Sequence, residues 1–179
     1  MIVKKPFNLN KWIEENRDLL KPPVGNKNLY LESDDYIVMI VAGPNARKDY
    51  HYNETEELFY QLEGTIQIHI QENGKKKTMK LGPGDMYLHP AKMPHSPERS
   101  EGSIGLVIER KRTDLKGKDG LLWFCENCNH KLHEVYFPLH DIEKDFLDHF
   151  KHFYGSKELR TCNYCGTVMP VDKRFTEED

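Results

Sequence analysis

No stretch of this chain approaches the ~18 consecutive apolar residues that a membrane-spanning helix needs. Its first residues, Met1-Ile2-Val3-Lys4-Lys5-Pro6, lack the apolar core of a signal peptide. There is no Gly-rich dinucleotide fingerprint, no internal repeat and no low-complexity tract. Basic residues are not in excess either: 26 Lys and Arg stand against 29 Asp and Glu, for a formal net charge of −3. The one lysine run, Lys75-Lys76-Lys77, follows Asn73-Gly74 and reads as a solvated hairpin tip. These absences exclude a membrane partner and argue against nucleic acid. They lead us to expect a soluble cytoplasmic protein. At 179 residues the chain can bury one domain plus a small appendage.

Cysteine is also scarce. The four present are spaced as Cys125-x-x-Cys128 and Cys162-x-x-Cys165. In a cytosolic chain this spacing argues for a bound metal, not disulfides. Two such knuckles can deliver four thiolates to one tetrahedral ion, and such sites take Zn or Fe. A redox dithiol is the weaker alternative. A zinc-ribbon nucleic-acid module is disfavoured by the net acidity and the short interval around the cysteines.

The hydrophobic pattern divides the chain. Residues 8–21 read as a short helix with Trp12, Ile13, Asn16, Leu19 and Leu20 on one face, stopped by Lys21-Pro22-Pro23. From Tyr36 to Ile108 short apolar runs alternate with turn residues. The runs are Tyr36 to Val41, Leu58 to Leu62, Thr65 to Ile70, Met86 to Leu88 and Ile104 to Ile108. Strands at this spacing predict an all-β sandwich or barrel. The charged stretch Arg110 to Gly120 reads as a linker or long loop. Beyond it Ile142, Phe146, Leu147, Phe150 and Phe153 keep helical spacing before Gly155. The acidic end, Glu177-Glu178-Asp179, reads as frayed. We therefore expect a β domain over residues 1–112 and a cysteine-bearing segment over 113–179.

The residues with metal-ligand chemistry lie in the first part. One motif is His51-x-Asn53-x-x-x-Glu57, then six residues to Gly64. A second is Gly84, Pro90, His95 and Arg99. Both resemble the paired motifs of the cupin superfamily, which implies a double-stranded β-barrel (jelly roll) with a metal in its mouth. Asn53 stands where many cupins have a second histidine, and Arg99 where Asn is common. The ligand set is thereby reduced to His51, Glu57 and His95. Two imidazoles and a carboxylate suit Fe(II), Mn(II) and similar ions and leave about three of six octahedral positions open. Glu54 and Glu56 compete with Glu57, but the step to Gly64 selects Glu57. In extended chain Arg47, Asp49 and His51 share a face, as do His95, Pro97 and Arg99, and Val107 and Glu109. The remaining histidines, His69, His89, His130, His133, His140, His149 and His152, read as surface or hydrogen-bonded residues.

A closer resemblance covers nearly the whole chain. It runs through Leu19 to Asn26, Val41 to His51, Glu57 to Gln61, Pro94 to Pro97 and Val107 to Arg110, and it includes the cysteine pairs. These segments are similar to the 3-hydroxyanthranilate 3,4-dioxygenase family, of the bacterial and fungal type with a rubredoxin-like C-terminal site. The resemblance implies an Fe(II) enzyme that opens 3-hydroxyanthranilate with O2, inserting both oxygen atoms, on the kynurenine route from tryptophan to quinolinate and NAD. It implies that His51, Glu57 and His95 hold iron and that Arg99 clamps the substrate carboxylate. It places Arg47 at the O2 position and Glu109 at the substrate hydroxyl as proton acceptor, with Glu57 also at the substrate and Asn26 at its edge. It gives Cys125, Cys128, Cys162 and Cys165 a structural Fe or Zn. It favours a homodimer. The competing reading is a non-catalytic metal-binding cupin, a sensor or binding module.

Overall fold

The computed structural model describes residues 5–21, 25–45, 47–112, 118–139 and 142–176, with the backbone alone at 142–144. The helix stop at Pro22-Pro23, His140, the middle of the Arg110–Gly120 stretch and the acidic end at 177–179 lie outside them.

Two short helical segments open the chain. Helix α1 (Leu9–Glu15) starts at Asn8, whose side chain accepts from the Lys11 N–H at 2.9 Å and satisfies a free amide of the first turn. A 3-10 turn (Arg17–Leu20) follows. The expected single helix over 8–21 is thus broken at Asn16, which rotates the later residues. Ile13 and Leu20 are buried, whereas Leu19 is 51% exposed.

Eleven strands follow among the described residues. They are β1 (Asn26–Asn28), β2 (Tyr36–Ala42), β3 (Asp49–Tyr52), β4 (Glu57–Glu63), β5 (Ile66–Glu72) and β6 (Lys75–Leu81). Then come β7 (Met86–His89), β8 (His95–Arg99), β9 (Ile104–Arg110), β10 (Asp119–Phe124) and β11 (Lys131–Phe137). Helices α2 (Ile142–Gly155) and α3 (Lys157–Arg160) end the fold. The strands form two antiparallel sheets, ordered β1-β2-β9-β4-β7 and β11-β10-β3-β8-β5-β6. The fold is therefore mainly β, as expected. No ladder joins the two sheets into one continuous barrel among the described residues.

The hairpin joining β5 and β6 turns at Asn73 and Gly74, with φ of 52° and 74°. Two left-handed residues are what a tight antiparallel turn demands, and Asn-Gly meets that demand at little cost. Lys75, Lys76 and Lys77 are solvated as expected, but on strand β6 and not at the tip.

Between the sheets Phe59, Ile66, Ile68, Ile70, Leu81 and Val107 form one core cluster. A second, with Ile13, Leu20, Ile40, Ala42 and Ile104, fastens the N-terminal helical segments to the five-stranded sheet. The third joins Leu121 and Trp123 of β10 to Phe146, Phe150 and Phe153 of α2. Trp123 and Phe153 stack at 4.3 Å between centroids. Fully burying side chains of this size contributes roughly 1.5–3 kcal/mol each, so three such residues on one face suffice to seat α2. Leu147, placed on that face by its spacing, is 38% exposed.

The charged stretch after β9 differs from a free linker at both ends. β9 runs through Arg110, and β10 begins at Asp119, inside the expected loop. β10 then lies directly beside β3, with Leu121 opposite His51. The reason is the apolar run Leu121-Leu122-Trp123, which is buried on both faces.

Candidate metal centre

The two sheets supply the donors from opposite sides. His51 on β3 and His95 on β8 face each other across the six-stranded sheet as register partners. Glu57 begins β4 in the five-stranded sheet, with His89 opposite on one side and Glu109 on the other. The donor atoms of His51, Glu57 and His95 all lie within 4.8 Å of one another, and all three residues are buried. Glu54 and Glu56 are exposed, which leaves Glu57 as the acid of this segment that faces inward.

These side chains fit a metal better than they fit each other. His95 Nε2 approaches Glu57 Oε2 at 3.0 Å, yet that oxygen has no hydrogen-bond partner, nor does His95 Nδ1. Burial alone would raise the Glu57 carboxyl, but His95, His51 and His89 outweigh it and hold it at about 2. The His51 imidazole is shifted downward, chiefly by burial. A buried carboxylate and two buried imidazoles with converging donor atoms are a donor set that could take a divalent cation.

Arg99, last on β8, is 3% exposed. Its backbone is pinned by Asn45, whose Oδ1 accepts from the Arg99 N–H at 3.0 Å. Its guanidinium reaches across to β9. A Cβ on Gly105 would lie 3.0 Å from Arg99 Nη1, so this close approach requires glycine there. Nη1 has no acceptor, and no ion pair to Arg99 occurs among the described residues. Burial pushes the group down to about 10, with Glu57 resisting. A buried guanidinium with no carboxylate hydrogen-bonded to Nη1 leaves room for an anion at the site.

Glu109 on β9 is also buried, and its carboxyl is raised to about 7 by burial and the nearby Glu57 charge, against the pull of Arg112. Asn53 Nδ2 donates to Glu109 Oε2 at 3.2 Å and Arg112 Nη2 to the same oxygen at 2.7 Å. The Asn53 that replaces a cupin histidine thus braces Glu109. Arg47 Nε donates to Asp49 Oδ1 at 3.1 Å, and its guanidinium lies over the Phe146 ring at 5.8 Å. Phe146 also packs edge-on to His51 at 5.3 Å, so α2 walls this side of the centre. Asn26 is exposed on edge strand β1, and among the described residues no hydrogen bond joins it to the donors.

The sequence reading contains neither Asp119 nor Arg112. Asp119 Oδ2 lies 2.7 Å from His51 Nε2 and 3.0 Å from Arg112 Nη2. The available signal was an acid heading an apolar run. His89, read as a surface or hydrogen-bonded residue, is hydrogen-bonded and fully buried. Its Nε2 donates to the Met93 carbonyl at 2.8 Å, and its ring stands 4.2 Å from that of His95.

The four cysteines, all free thiols, form a second cluster with sulfurs within 4.8 Å of one another. Cys125 and Cys165, and Cys128 and Cys162, each approach to 3.6 Å. The two knuckles are alike: the amides of Asn129 and Gly166 donate to the carbonyls of Cys125 and Cys162, at 2.8 and 2.9 Å. Both Asn129 and Gly166 have positive φ. This S4 arrangement suits a tetrahedral ion. Replacing Cys125 and Cys128 with serine should remove one bound metal and lower the melting temperature. Turnover per metal at the His–Glu centre should be largely kept, because Trp123 still anchors β10. Complete loss of turnover with that centre loaded would refute a purely structural role.

Two histidines and a glutamate converge between two antiparallel sheets, beside a buried arginine, in a mainly β protein whose donors could hold a metal ion. The model of the 3-hydroxyanthranilic acid dioxygenase family matches residues 1–154. A 3-hydroxyanthranilate 3,4-dioxygenase of Xanthomonas campestris pv. campestris is 52% identical over 95% of this chain and 95% of its own length. One from Bacillus thuringiensis is 46% identical over 93% and 92%. A cupin-2 domain protein from Shewanella frigidimarina overlaps 55% of this chain and 92% of its own, at 23% identity and a TM-score of 0.47. The chain belongs to the 3-hydroxyanthranilic acid dioxygenase family.

Proposed function

We propose that the chain is an Fe(II)-dependent dioxygenase that converts 3-hydroxyanthranilate and O2 to 2-amino-3-carboxymuconate semialdehyde. That product closes to quinolinate without an enzyme, on the way from tryptophan to NAD. The observation that carries the reading is Arg99, a buried cation whose Nη1 has no acceptor and which makes no ion pair among the described residues, beside three converging donors. A substrate carboxylate supplies the missing charge, and a guanidinium fork grips it in one plane. His51, Glu57 and His95 would hold the metal, which would supply Lewis acidity toward the substrate's phenol and amine and redox chemistry toward O2. Glu109, near neutrality, accepts the phenolic proton, and Asn53 and Arg112 fix its position. Arg47 places a positive charge on the O2 side. Asn26 borders the substrate. The substrate supplies all the electrons, so no reductant is required. Adding 3-hydroxyanthranilate to Fe(II)-loaded protein in air should give the ultraviolet signature of ring opening, and catechols should react far less. No reaction with loaded protein would refute the proposal.

The four-cysteine site is read as structural Fe or Zn, in a segment (113–179) that serves the catalytic unit (1–112). Reduced thiols fit a cytoplasmic setting. No helix among the described residues is long and apolar enough to cross a membrane.

A homodimer is also proposed, formed through the outer face of the five-stranded sheet. Val38, Ile108, Leu58 and Leu88 are successive register partners there, and Tyr36, Met86 and Leu88 are 50%, 64% and 54% exposed. Single exposed apolar residues are ordinary, but a row across four strands wants a cover. Sedimentation should show a dimer that Met86→Lys with Leu88→Lys converts to monomer. A wild-type monomer at micromolar concentration would remove this proposal.

A further inference from the structure

The two histidines of the centre are held by different means. The His95 ring is held by packing against His89 at 4.2 Å and Phe59 at 5.8 Å, and its Nδ1 has no partner. The His51 ring is held by a hydrogen bond. Asp119, 1% exposed, sets Oδ2 2.7 Å from His51 Nε2. Arg112 then joins Asp119 to Glu109: Nε is 3.1 Å from Asp119 Oδ1, and Nη2 is 3.0 Å from Asp119 Oδ2 and 2.7 Å from Glu109 Oε2. Its Nη1 donates to the Arg110 carbonyl at 2.9 Å, so the guanidinium has little freedom. The backbone repeats the arrangement. β3 shares four register pairs with β10 and one, His51 with His95, with β8.

We propose that Asp119 is a positioning residue for the metal centre, fixing the His51 ring and, through Arg112, tying that ring to Glu109. The inference rests on the reading of His51 as a metal ligand. An imidazole that binds metal through one nitrogen commonly gives its other N–H to a carboxylate, which fixes tautomer and orientation and raises ligand basicity. Asp119 has that place, and it comes from the C-terminal segment. The segment beyond residue 112 therefore completes a centre whose three donors all lie before it. One guanidinium spanning two carboxylates also makes any movement of Asp119 felt at Glu109.

The test is Co(II) affinity, by chelator competition on the full chain, for wild type, His51→Ala, Asp119→Ala, Asp119→Asn, Asp119→Glu and Leu122→Ala. Binding that survives in His51→Ala reports the cysteine site and is subtracted. Loss of an outer-shell carboxylate typically costs about 10–100-fold in affinity, and Asp119→Ala should fall in that range. Asp119→Asn should fall less, because its amide oxygen still accepts the imidazole N–H, and Asp119→Glu should recover part of the loss. The isosteric asparagine variant also serves if the alanine variant does not fold. Leu122, buried on β10 opposite Tyr50, controls for loosening of the strand, and its alanine variant should bind Co(II) as wild type does. Wild-type affinity in Asp119→Ala, with binding abolished in His51→Ala, would overturn the inference and leave the metal reading intact. An equal loss in Leu122→Ala would overturn it in favour of general strand stability. Identical binding in wild type and His51→Ala would instead sink the metal reading itself.

Discussion

Alanine at His51, Glu57 or His95 should leave a folded protein with one metal fewer and turnover lowered by at least about 10³. A bound metal acting as Lewis acid is worth several kcal/mol of barrier, and each ~1.4 kcal/mol is tenfold. The fold should survive because the three apolar clusters contain none of these side chains. Removing Glu57 also removes a buried charge whose desolvation the fold must otherwise offset. Melting curves, metal analysis and turnover at limiting iron check this together. A variant with full activity at limiting iron would strike its residue from the ligand set.

Arg99→Ala should cost on the order of 2–5 kcal/mol in transition-state stabilisation, the usual loss when one partner of a desolvated charge pair is removed. That is roughly 30- to several-thousand-fold in kcat/KM. The structure sharpens the expectation, since no ion pair to Arg99 among the described residues would be broken by the change. The free protein should tolerate Arg99→Ala well, because it loses an uncompensated buried cation. 2-Aminophenol chelates iron but has no carboxylate, so it should lose far less than 3-hydroxyanthranilate. The measurement is kcat/KM for both compounds with both proteins. Equal losses would mean that Arg99 shapes the site and that the clamp must be sought first at Arg47.

What the sequence disclosed and what it hid have physical reasons. Strands β2, β4, β5, β7 and β9 are apolar runs bounded by turn residues, and they fall within a residue or two of where the runs place them. Strands β3 and β8 carry Asp-Tyr-His-Tyr and His-Ser-Pro-Glu-Arg. Their inward positions hold polar ligands instead of aliphatics, so hydrophobic alternation cannot reveal them. The motif spacing located His51, Glu57, His95 and Arg99 without that help, because spacing records chemistry and not burial. Asp119 carries no motif. It meets His51 from 68 positions away, a distance set only by how β10 pairs with β3. Arg47 shows a further limit. It precedes β3 and pairs locally with Asp49, but its place over Phe146 depends on α2, which no pattern around residue 47 discloses.

The placement of β10 has a consequence for how the protein is made. While the chain leaves the ribosome, β3 has a single register pair to β8 and an otherwise open edge. Its main partner is synthesised about seventy residues later, and such long-range pairings form slowly. An unpaired edge bearing Tyr50, His51 and Tyr52 is meanwhile available to other chains. Truncation before residue 119 would make that exposure permanent. A nascent chain therefore passes through an interval in which all three donors of the candidate centre exist but the strand carrying one of them has a single register pair, and metal captured then would be held by an unfinished site.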